Sequence, residues 1–580
     1  MVFIWTKKKS LPDERPLTWE DLPIPIGVRS NGEYLRYPSA RERAVAAKII
    51  ELATRNAKRL GMDRRAFLQS SAGMATALVA INSMAGCNGG AAEGSSSSGS
   101  DTTGSTGMGS DTTGTDTTET GPFETTGTDE GCDADGSREL LSNDDQFVLD
   151  AQTHHIELGG WQDTNKPYRL FYDELLAMSQ PGCNGGGADC FVGGQYRNMI
   201  YEQSDTTVAV LSGLPAIMCE DANPGEYCGH PIDDEGMAAS RDAFNELAAS
   251  QRMINHAMVV PNFNLDLALA GMEQAVASFG VSAWKMYTPW GQLTAEQIDM
   301  LDGLTDLELI AMAATGQLKG EGWELDDPNV GIPVIEKGLE LGVDIFCCHK
   351  GLPLPTFDPA HTSARDLAVV ATMYPEAKFI AYHSSLNAGA MNFLDNVPEG
   401  PYDGPDADPA YADKGVNDLI KAMLDNDLAP GSNVYAELGG VWSSVMADAE
   451  EAQHVIGKLL KYVGEDNILW GTDAIWVGTP QPLIEAFRAF SITPEFQDMY
   501  GYPELTAAIK DKILGLNAAA VYGVDPDELR CTLADDEMAN MRRQYREARI
   551  YEPRRRSAPM GPRSRREFIR LFRADPHSPG

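Results

Sequence analysis

The 580-residue chain is short of positive charge: 46 Lys and Arg stand against 85 Asp and Glu, a formal net charge of −39. A surface that acidic repels a phosphate backbone, which argues against sequence-independent nucleic-acid binding. Aromatic residues are few, at 8%, and are scattered without interleaved basic residues, so base stacking has no footing either. No apolar run approaches the ~20 residues that span a bilayer. No glycine-rich dinucleotide loop follows any of the apolar runs, which weighs against a doubly wound nucleotide-binding sheet. Histidine is scarce, with nine in the whole chain. What is present is 43% hydrophobic and 23% charged residues, an ordinary globular balance with material for a core.

The first 137 residues read as address and tether. From Ala40, the residues Val45, Ile49, Leu52, Ala53 and Leu60 recur at helical spacing, and Gly61 is placed as a stop. This gives an N-terminal extension with one helix over 1–61. Over 62–87, Arg64-Arg65 precede the short, small-residue run from Ala72 to Ala85, then Gly86-Cys87. That order resembles a twin-arginine export signal, and Met84-Ala85-Gly86-Cys87 resembles a lipobox, with Met84 where Leu is usual. The expectation is export by the twin-arginine machinery, leaving the protein periplasmic or membrane-anchored through a lipidated Cys87. Either Met62 is the working start or the signal carries a long extension. Residues 88–137 are almost all Gly, Ser, Thr and Asp. They have nothing to bury and are predicted to be a disordered linker.

From 138 to 536 the composition becomes globular. Eight short apolar runs begin at Phe147, Thr207, Ala257, Val281, Ile345, Phe379, Val434 and Ile468. Helical periods lie between them at 235–250, 265–279, 329–341, 362–374, 411–428, 446–463 and 504–519. Continuously apolar strands alternating with helices predict an α/β fold with a parallel sheet, most simply a (β/α)₈ TIM-type barrel. In a barrel, functional side chains stand where strands end. The runs lead directly into Gln152 and His154, Lys285, His349, His383 and Asp473. Strand alternation places Asp150, Gln152 and His154 on one face and His155 on the other, as a core or supporting residue. Glu437 ends strand seven and serves either substrate or loop. Trp290, Trp442 and Trp476 follow strands and are candidates for a pocket wall. The remaining histidines, His230, His256, His361, His454 and His577, show no pattern. Past Asp536 the chain is a basic tail (537–580) that opens with a charged helix.

The pieces Asp150-Ala151-Gln152-Thr153-His154, Cys348-His349-Lys350-Gly351, Tyr382-His383-Ser384-Ser385, Trp470-Gly471-Thr472-Asp473 and Ile513-Leu514-Gly515-Leu516-Asn517-Ala518-Ala519 resemble the amidohydrolase superfamily. The closest likeness is to its amidohydrolase-related branch of metal-dependent hydrolases and decarboxylases, over roughly 146–524. The resemblance implies one divalent metal ion, zinc first, held by His154, His349 and Asp473. Gln152 stands where the family has the first His of a His-X-His pair, and an amide oxygen is a weaker zinc donor than imidazole. Asp473 and His383 would be the catalytic residues and Lys285 would meet the substrate. The expected activity is hydrolysis of a C–O or C–N bond, of lactone or amide type, in a small molecule by metal-activated water. A non-oxidative decarboxylase on the same scaffold is the first alternative, and a tethered binding protein without catalysis is the second. Oligomeric state is not legible. Cys183 with Cys190 and Cys219 with Cys228 bracket short loops that suit disulfides in an oxidising compartment, and Cys132 and Cys531 could form a third. Cys347 and Cys348, adjacent in a strand, face opposite sides and do not bond each other.

Overall fold

The computed structural model describes helix 40–60, residues 64–65, and the span 146–550 with breaks, the longest at 164–186, 387–398 and 403–414 and through much of 295–318. The linker, Cys87, Cys132, Cys183, Cys219, Cys531 and residues beyond 550 lie outside the described residues, as does most of the expected export signal. Helix α1 (Ala40–Leu60) forms where the apolar spacing predicted it, with Ala46, Ile49, Leu52, Ala53 and Ala57 as its buried stripe. No helix among the described residues is long and apolar enough to cross a membrane.

The body is an α/β fold with its long strands parallel. In chain order the strands are β1 (Leu149–Thr153), β2 (Val208–Leu211), the small antiparallel pair β3 (Ile217–Met218) and β4 (Tyr227–Cys228), β5 (Met253–Asn255), β6 (Ala257–Val259), β7 (Trp284–Met286), β8 (Ile345–Gly351), β9 (Lys378–Leu386), β10 (Val434–Glu437) and β11 (Ile468–Leu469). They form a three-stranded sheet, β1-β2-β5, and a six-stranded sheet, β11-β10-β9-β8-β7-β6. The eight predicted runs are all found, but not as one closed ladder. Strand three is divided by His256 into β5 and β6, which pair in different sheets, and β11 is two residues long. The opposite seam is drawn together by single backbone hydrogen bonds: Ala151 N to Trp470 O at 2.9 Å, Asp473 N to Gln152 O at 3.0 Å and His154 N to Ala474 O at 2.6 Å.

Helices α2 (Asp234–Ala248), α3 (Leu265–Phe279), α4 (Gly331–Glu340), α5 (Arg365–Met373), α6 (Asn417–Asp425) and α7 (Ala449–Tyr462) follow the predicted periods. Their ends obey local chemistry. Asp233 and Asn264 cap α2 and α3 by accepting from Gly236 N and Leu267 N, and α3 stops at Gly280 with φ +59°. Alternation along the strands divides the apolar residues among three clusters, of which two take most of the strand positions. Leu149, Val208, Val210, Ile254, Ile345, Cys347, Ile380, Tyr382 and Leu469 meet in one. Trp284, Met286, Phe346, Cys348, Phe379, Ala381, Val434 and Ala436 pack in the other, together with residues of α3 to α7. Cys347 and Cys348 thus fall on opposite faces and are free thiols, while Cys190 is disulfide-bonded.

The charged helix of the tail, α8 (Glu537–Ile550), docks on this body. Arg542 and Arg546 reach the buried carboxylate of Asp205, which Arg488 also engages. Just before the helix, Asp536 accepts from Arg252 Nε at 2.8 Å.

Candidate active site

The strand ends bring the named side chains together in two groups. In the first, His154 Nδ1 lies 2.8 Å from the Ser212 carbonyl oxygen. A carbonyl only accepts, so Nδ1 carries a proton. Nε2 lies 3.1 Å from Asp473 Oδ1, a hydrogen bond when Nε2 is protonated as well. Gln152 Nε2 donates to Asp473 Oδ1 at 3.2 Å and is 3.4 Å from His154 Nε2. Gln152 Oε1 is buried and has no hydrogen-bond partner. Asp473 is 27% exposed, against 1% for His154. Burial works to raise the Asp473 pKa, but the His154 hydrogen bond and the charges of His154, His383 and Lys285 outweigh it, and the carboxyl sits below its ordinary value.

The second group is a pair of imidazoles. His383 Nε2 is 3.1 Å from His349 Nδ1, His383 Nδ1 is 2.7 Å from Gly439 O, and His349 Nε2 is 3.3 Å from Leu352 O. Burial lowers both pKa values, that of His383 to about 4, and nearby Lys285 lowers both further. The two rings are therefore neutral at ordinary pH and own two protons between them. Both outer gaps face carbonyls that call for those protons, which leaves the central gap as two opposed lone pairs.

Lys285 lies between the groups electrostatically. It is fully buried within β7, and its Nζ makes no hydrogen bond. It sits 3.6 Å from the centre of the Tyr382 ring and 4.7 Å from that of Tyr287, as a cation over two π faces. Burial pulls its pKa down, against the pull of Cys347, Glu437 and Asp473. Glu437 is buried at the end of β10, and burial raises its pKa. Its carboxylate accepts from His383 N at 3.0 Å and from Gly439 N. A Cβ on Gly439 would push against both Gln152 Oε1 and Glu437 Oε1, so any side chain there would displace the ends of those two residues.

Regular strand geometry breaks at several of these positions. His383, Ser384, Ser385 and Asp473 all have positive φ, between 48° and 63°, and the β8–β9 register shifts between His349 and Gly351. The β1–β2 register shifts between Asp150 and Thr153, which corrects the alternation expected for strand one. Asp150 does not share a face with Gln152 and His154. It accepts from the backbone and hydroxyl of Thr472, at 3.0 and 2.5 Å, behind the site. Thr153 bonds the Tyr196 hydroxyl at 2.7 Å, and the His155 ring meets Tyr196 edge-on. Both thus turn toward Tyr196 while His154 turns toward Asp473.

Aromatic rings flank both groups. Trp476 stacks on His154 at 5.7 Å, Tyr287 stacks on His349 at 5.3 Å and Phe357 meets His349 edge-on at 4.8 Å. Trp290 reaches the region through Phe357, whereas Trp442 packs on Phe487 and Phe490 in the helical core. His361 pairs with Glu324 and His454 with Tyr502. The sequence reading missed Ser212 and His256. Ser212 directly follows the strand-two run and His256 directly precedes the strand-three run, so adjacency to those runs was the available signal.

Among the described residues no three His, Cys, Asp or Glu side chains are gathered closely enough to hold a metal ion as they stand. The groups that could take one are His154 Nε2 beside the Asp473 carboxylate, the facing His349 Nδ1 and His383 Nε2, and the unpartnered buried Gln152 Oε1.

Residues 237–524 match the model of the amidohydrolase family, and that region of the chain is assigned to it. Lys285, His349, His383 and Asp473 fall inside the matched region, and Gln152 and His154 precede it. A comparison with curated proteins finds no match. Solved structures similar to this chain include IDCase from Metarhizium anisopliae, at 14% identity, covering 67% of this chain and 99% of that one, with a TM-score of 0.34. A Pseudomonas putida protein described as a 2-pyrone-4,6-dicarboxylic acid hydrolase matches at 12% identity, 65% and 98% coverage and a TM-score of 0.32. Amidohydrolase 2 from Bifidobacterium longum subsp. infantis matches at 12% identity, 66% and 100% coverage and a TM-score of 0.30. Likenesses this loose carry no argument about substrate.

Proposed function

We propose that this chain is a metal-dependent hydrolase, on a TIM-type barrel, that cleaves a C–O or C–N bond of lactone or amide type in a small molecule. The observation that supports it is the set of imidazole, amide and carboxylate donors toward one end of the strands, in a superfamily that is metal-dependent. His154 Nε2, His349 and Asp473 would hold one divalent ion, with Gln152 contributing Oε1. Zinc suits two imidazoles and a carboxylate. When bound, the ion would supply Lewis acidity and lower the pKa of water toward ~7.

The chain's own residues do the rest. Asp473 is ionised and the most open of the group, so it takes the proton of the attacking water and returns it to the leaving group. His383, held neutral and pinned by Gly439 O, orients the substrate oxygen. Lys285, a cation without a counter-ion hydrogen bond, attracts an anionic substrate group. That same unpaired lysine favours a second reading, a decarboxylase in which it receives the carboxylate.

The test is metal analysis of the purified chain, followed by assays on lactones and amides in ¹⁸O-water. Bound zinc with ¹⁸O in the product supports the hydrolase. Carbon dioxide released without ¹⁸O incorporation selects the decarboxylase, and a folded chain that takes up no metal leaves a binding protein. On sequence alone we further propose export by the twin-arginine route and anchoring through Cys87; a Cys87→Ser chain appearing in the soluble periplasmic fraction would support the anchor.

A further inference from the structure

His256 carries no expectation from its sequence position, yet it lies directly behind the site. It divides strand three between β5 and β6, is fully buried, and has both ring nitrogens engaged. Nδ1 is 2.7 Å from Ser212 Oγ, and Nε2 is 2.9 Å from the Tyr522 hydroxyl, with Cys347 Sγ at 3.8 Å. The Tyr522 ring also stacks on it at 5.9 Å, and its backbone N–H donates to Leu211 O at 3.1 Å. A buried imidazole bonded at both nitrogens cannot rotate without breaking two hydrogen bonds, each expensive to leave unmade.

Ser212 is the link from this fixed ring to the site. Its carbonyl receives the Nδ1–H of His154, and its hydroxyl is the group that His256 holds. The neighbouring backbone is braced as well: Ser212 N donates to Thr153 O at 2.9 Å, and Gly213 O accepts from the Tyr287 hydroxyl at 3.0 Å. On its far side His154 Nε2 lies 3.1 Å from Asp473 Oδ1 and 3.4 Å from Gln152 Nε2, so the carboxylate pulls a proton toward Nε2 and the Ser212 carbonyl is the contact that keeps one on Nδ1.

We infer that His256 is a positioning residue of this site, acting through Ser212 to hold the His154 ring with its Nδ1–H on the Ser212 carbonyl and its Nε2 beside Asp473 and Gln152. The inference rests on the reading of His154 as a ligand, but its consequence for the tautomer does not require a metal. Hydrogen-bond partners behind a metal-binding imidazole are worth roughly 10–100-fold in metal affinity.

Two substitutions separate positioning from simple packing. An Asn side chain places its polar atoms near the position of Nδ1 and keeps the Ser212 contact. A Gln side chain reaches the position of Nε2 and keeps the Tyr522 contact instead. The experiment uses the full chain with ¹⁵N-labelled histidine, and long-range ¹H–¹⁵N spectra recorded without metal. His154 is assigned by the signal lost in His154→Gln. The expected result is a protonated Nδ1 on His154 in the parent chain and in His256→Asn, and partial loss of that proton toward Nε2 in His256→Gln and Ser212→Ala. Zinc titration against a competing chelator should follow the same division, with His256→Gln weaker by roughly 10–100-fold and His256→Asn near the parent. An unchanged His154 signal in all three variants overturns the inference, as does an equal change in His256→Asn and His256→Gln. A tautomer change without any change in zinc affinity supports the positioning role and removes His154 from the ligand set, so the two readings fail separately.

Discussion

The two groups of the site are built from opposite kinds of contact. His154, Gln152 and Asp473 come from the first and last strands of the fold, which meet through single backbone hydrogen bonds rather than a ladder. They include a carboxylate and the most exposed side chain of the set. His349 and His383 come from neighbouring paired strands, are 4% and 2% exposed, and their ring nitrogens meet two carbonyls and each other rather than an acid. Proton transfer needs an ionised group that water can reach, and only the first group has one. The second is a neutral, rigid clamp. The difference assigns chemistry to one side of the mouth and orientation to the other.

The largest expected effect comes from removing the charge that sets the groups apart. Asp473→Asn preserves size but not basicity, and should lower kcat by roughly 10²–10⁴-fold, the usual contribution of a positioned general base. His383→Phe should act more on KM and substrate orientation, and should leave the acidic limb of the pH profile in place. If both variants lose kcat equally and show the same pH dependence, the division between chemistry and clamp is wrong.

Lys285 couples electrostatically to both groups, and its burial has a stability consequence with a definite sign. Its folded-state pKa is lowered to about 8 from an ordinary 10.5, with burial as the main cause. Between those values the unfolded chain binds the extra proton, so stability rises with pH there, and the cost of the buried charge is full below about pH 8. Lys285→Met should therefore melt later than the parent at pH 7, by on the order of 1–3 kcal/mol. That advantage should shrink as pH rises toward 10.5, while affinity for anionic substrates is lost. Thermal melts of both proteins across pH 7–10 read this directly. A parent chain that is the more stable at pH 7 would show that Lys285 is paired in solution.

Strengthening the weaker donor of the first group should have a smaller effect. Gln152→His replaces an amide with imidazole, the better zinc ligand, and should tighten zinc by roughly tenfold, about 1.4 kcal/mol. Chelator competition measures it. No tightening would mean that the position 152 side chain does not reach the ion.

Much of this was legible because strand burial is written plainly in apolar runs. All eight runs contain strands, with Lys285 inside β7, His349 and His383 in the C-terminal halves of β8 and β9, and Asp473 a few residues past β11. Other features were hidden for physical reasons. The slip between Asp150 and Thr153 is a change in strand register, and strict alternation is the only rule a bare sequence offers for β1. The left-handed backbone at His383, Ser384 and Ser385 is held by distant partners, Glu437 for the first two and Asp418 for the third. His256 looked idle because its partners lie 44 and 266 residues away in the chain. The break it marks in strand three follows from pairing across two sheets, which has no local signature.

His155 carries the smallest prediction, and it tests whether the site ends where the register shift says it does. Its ring is 2% exposed, and neither nitrogen finds a hydrogen-bond partner. Burial accordingly pushes its pKa down to about 4, so the ring is neutral at ordinary pH. It meets Tyr196 edge-on, on the side of strand one away from Asp473. A buried polar atom without a partner costs roughly 1–3 kcal/mol. His155→Phe keeps the ring against Tyr196 and removes both orphan nitrogens, at the expense of some added bulk near Gly193. The net expectation is a gain of about 1 kcal/mol in stability, with zinc affinity and activity unchanged. Loss of zinc in this variant would place His155 among the ligands and undo the separation of faces along strand one. Loss of stability alone would mean that its nitrogens are satisfied in solution, and would leave the two groups of the site as they are.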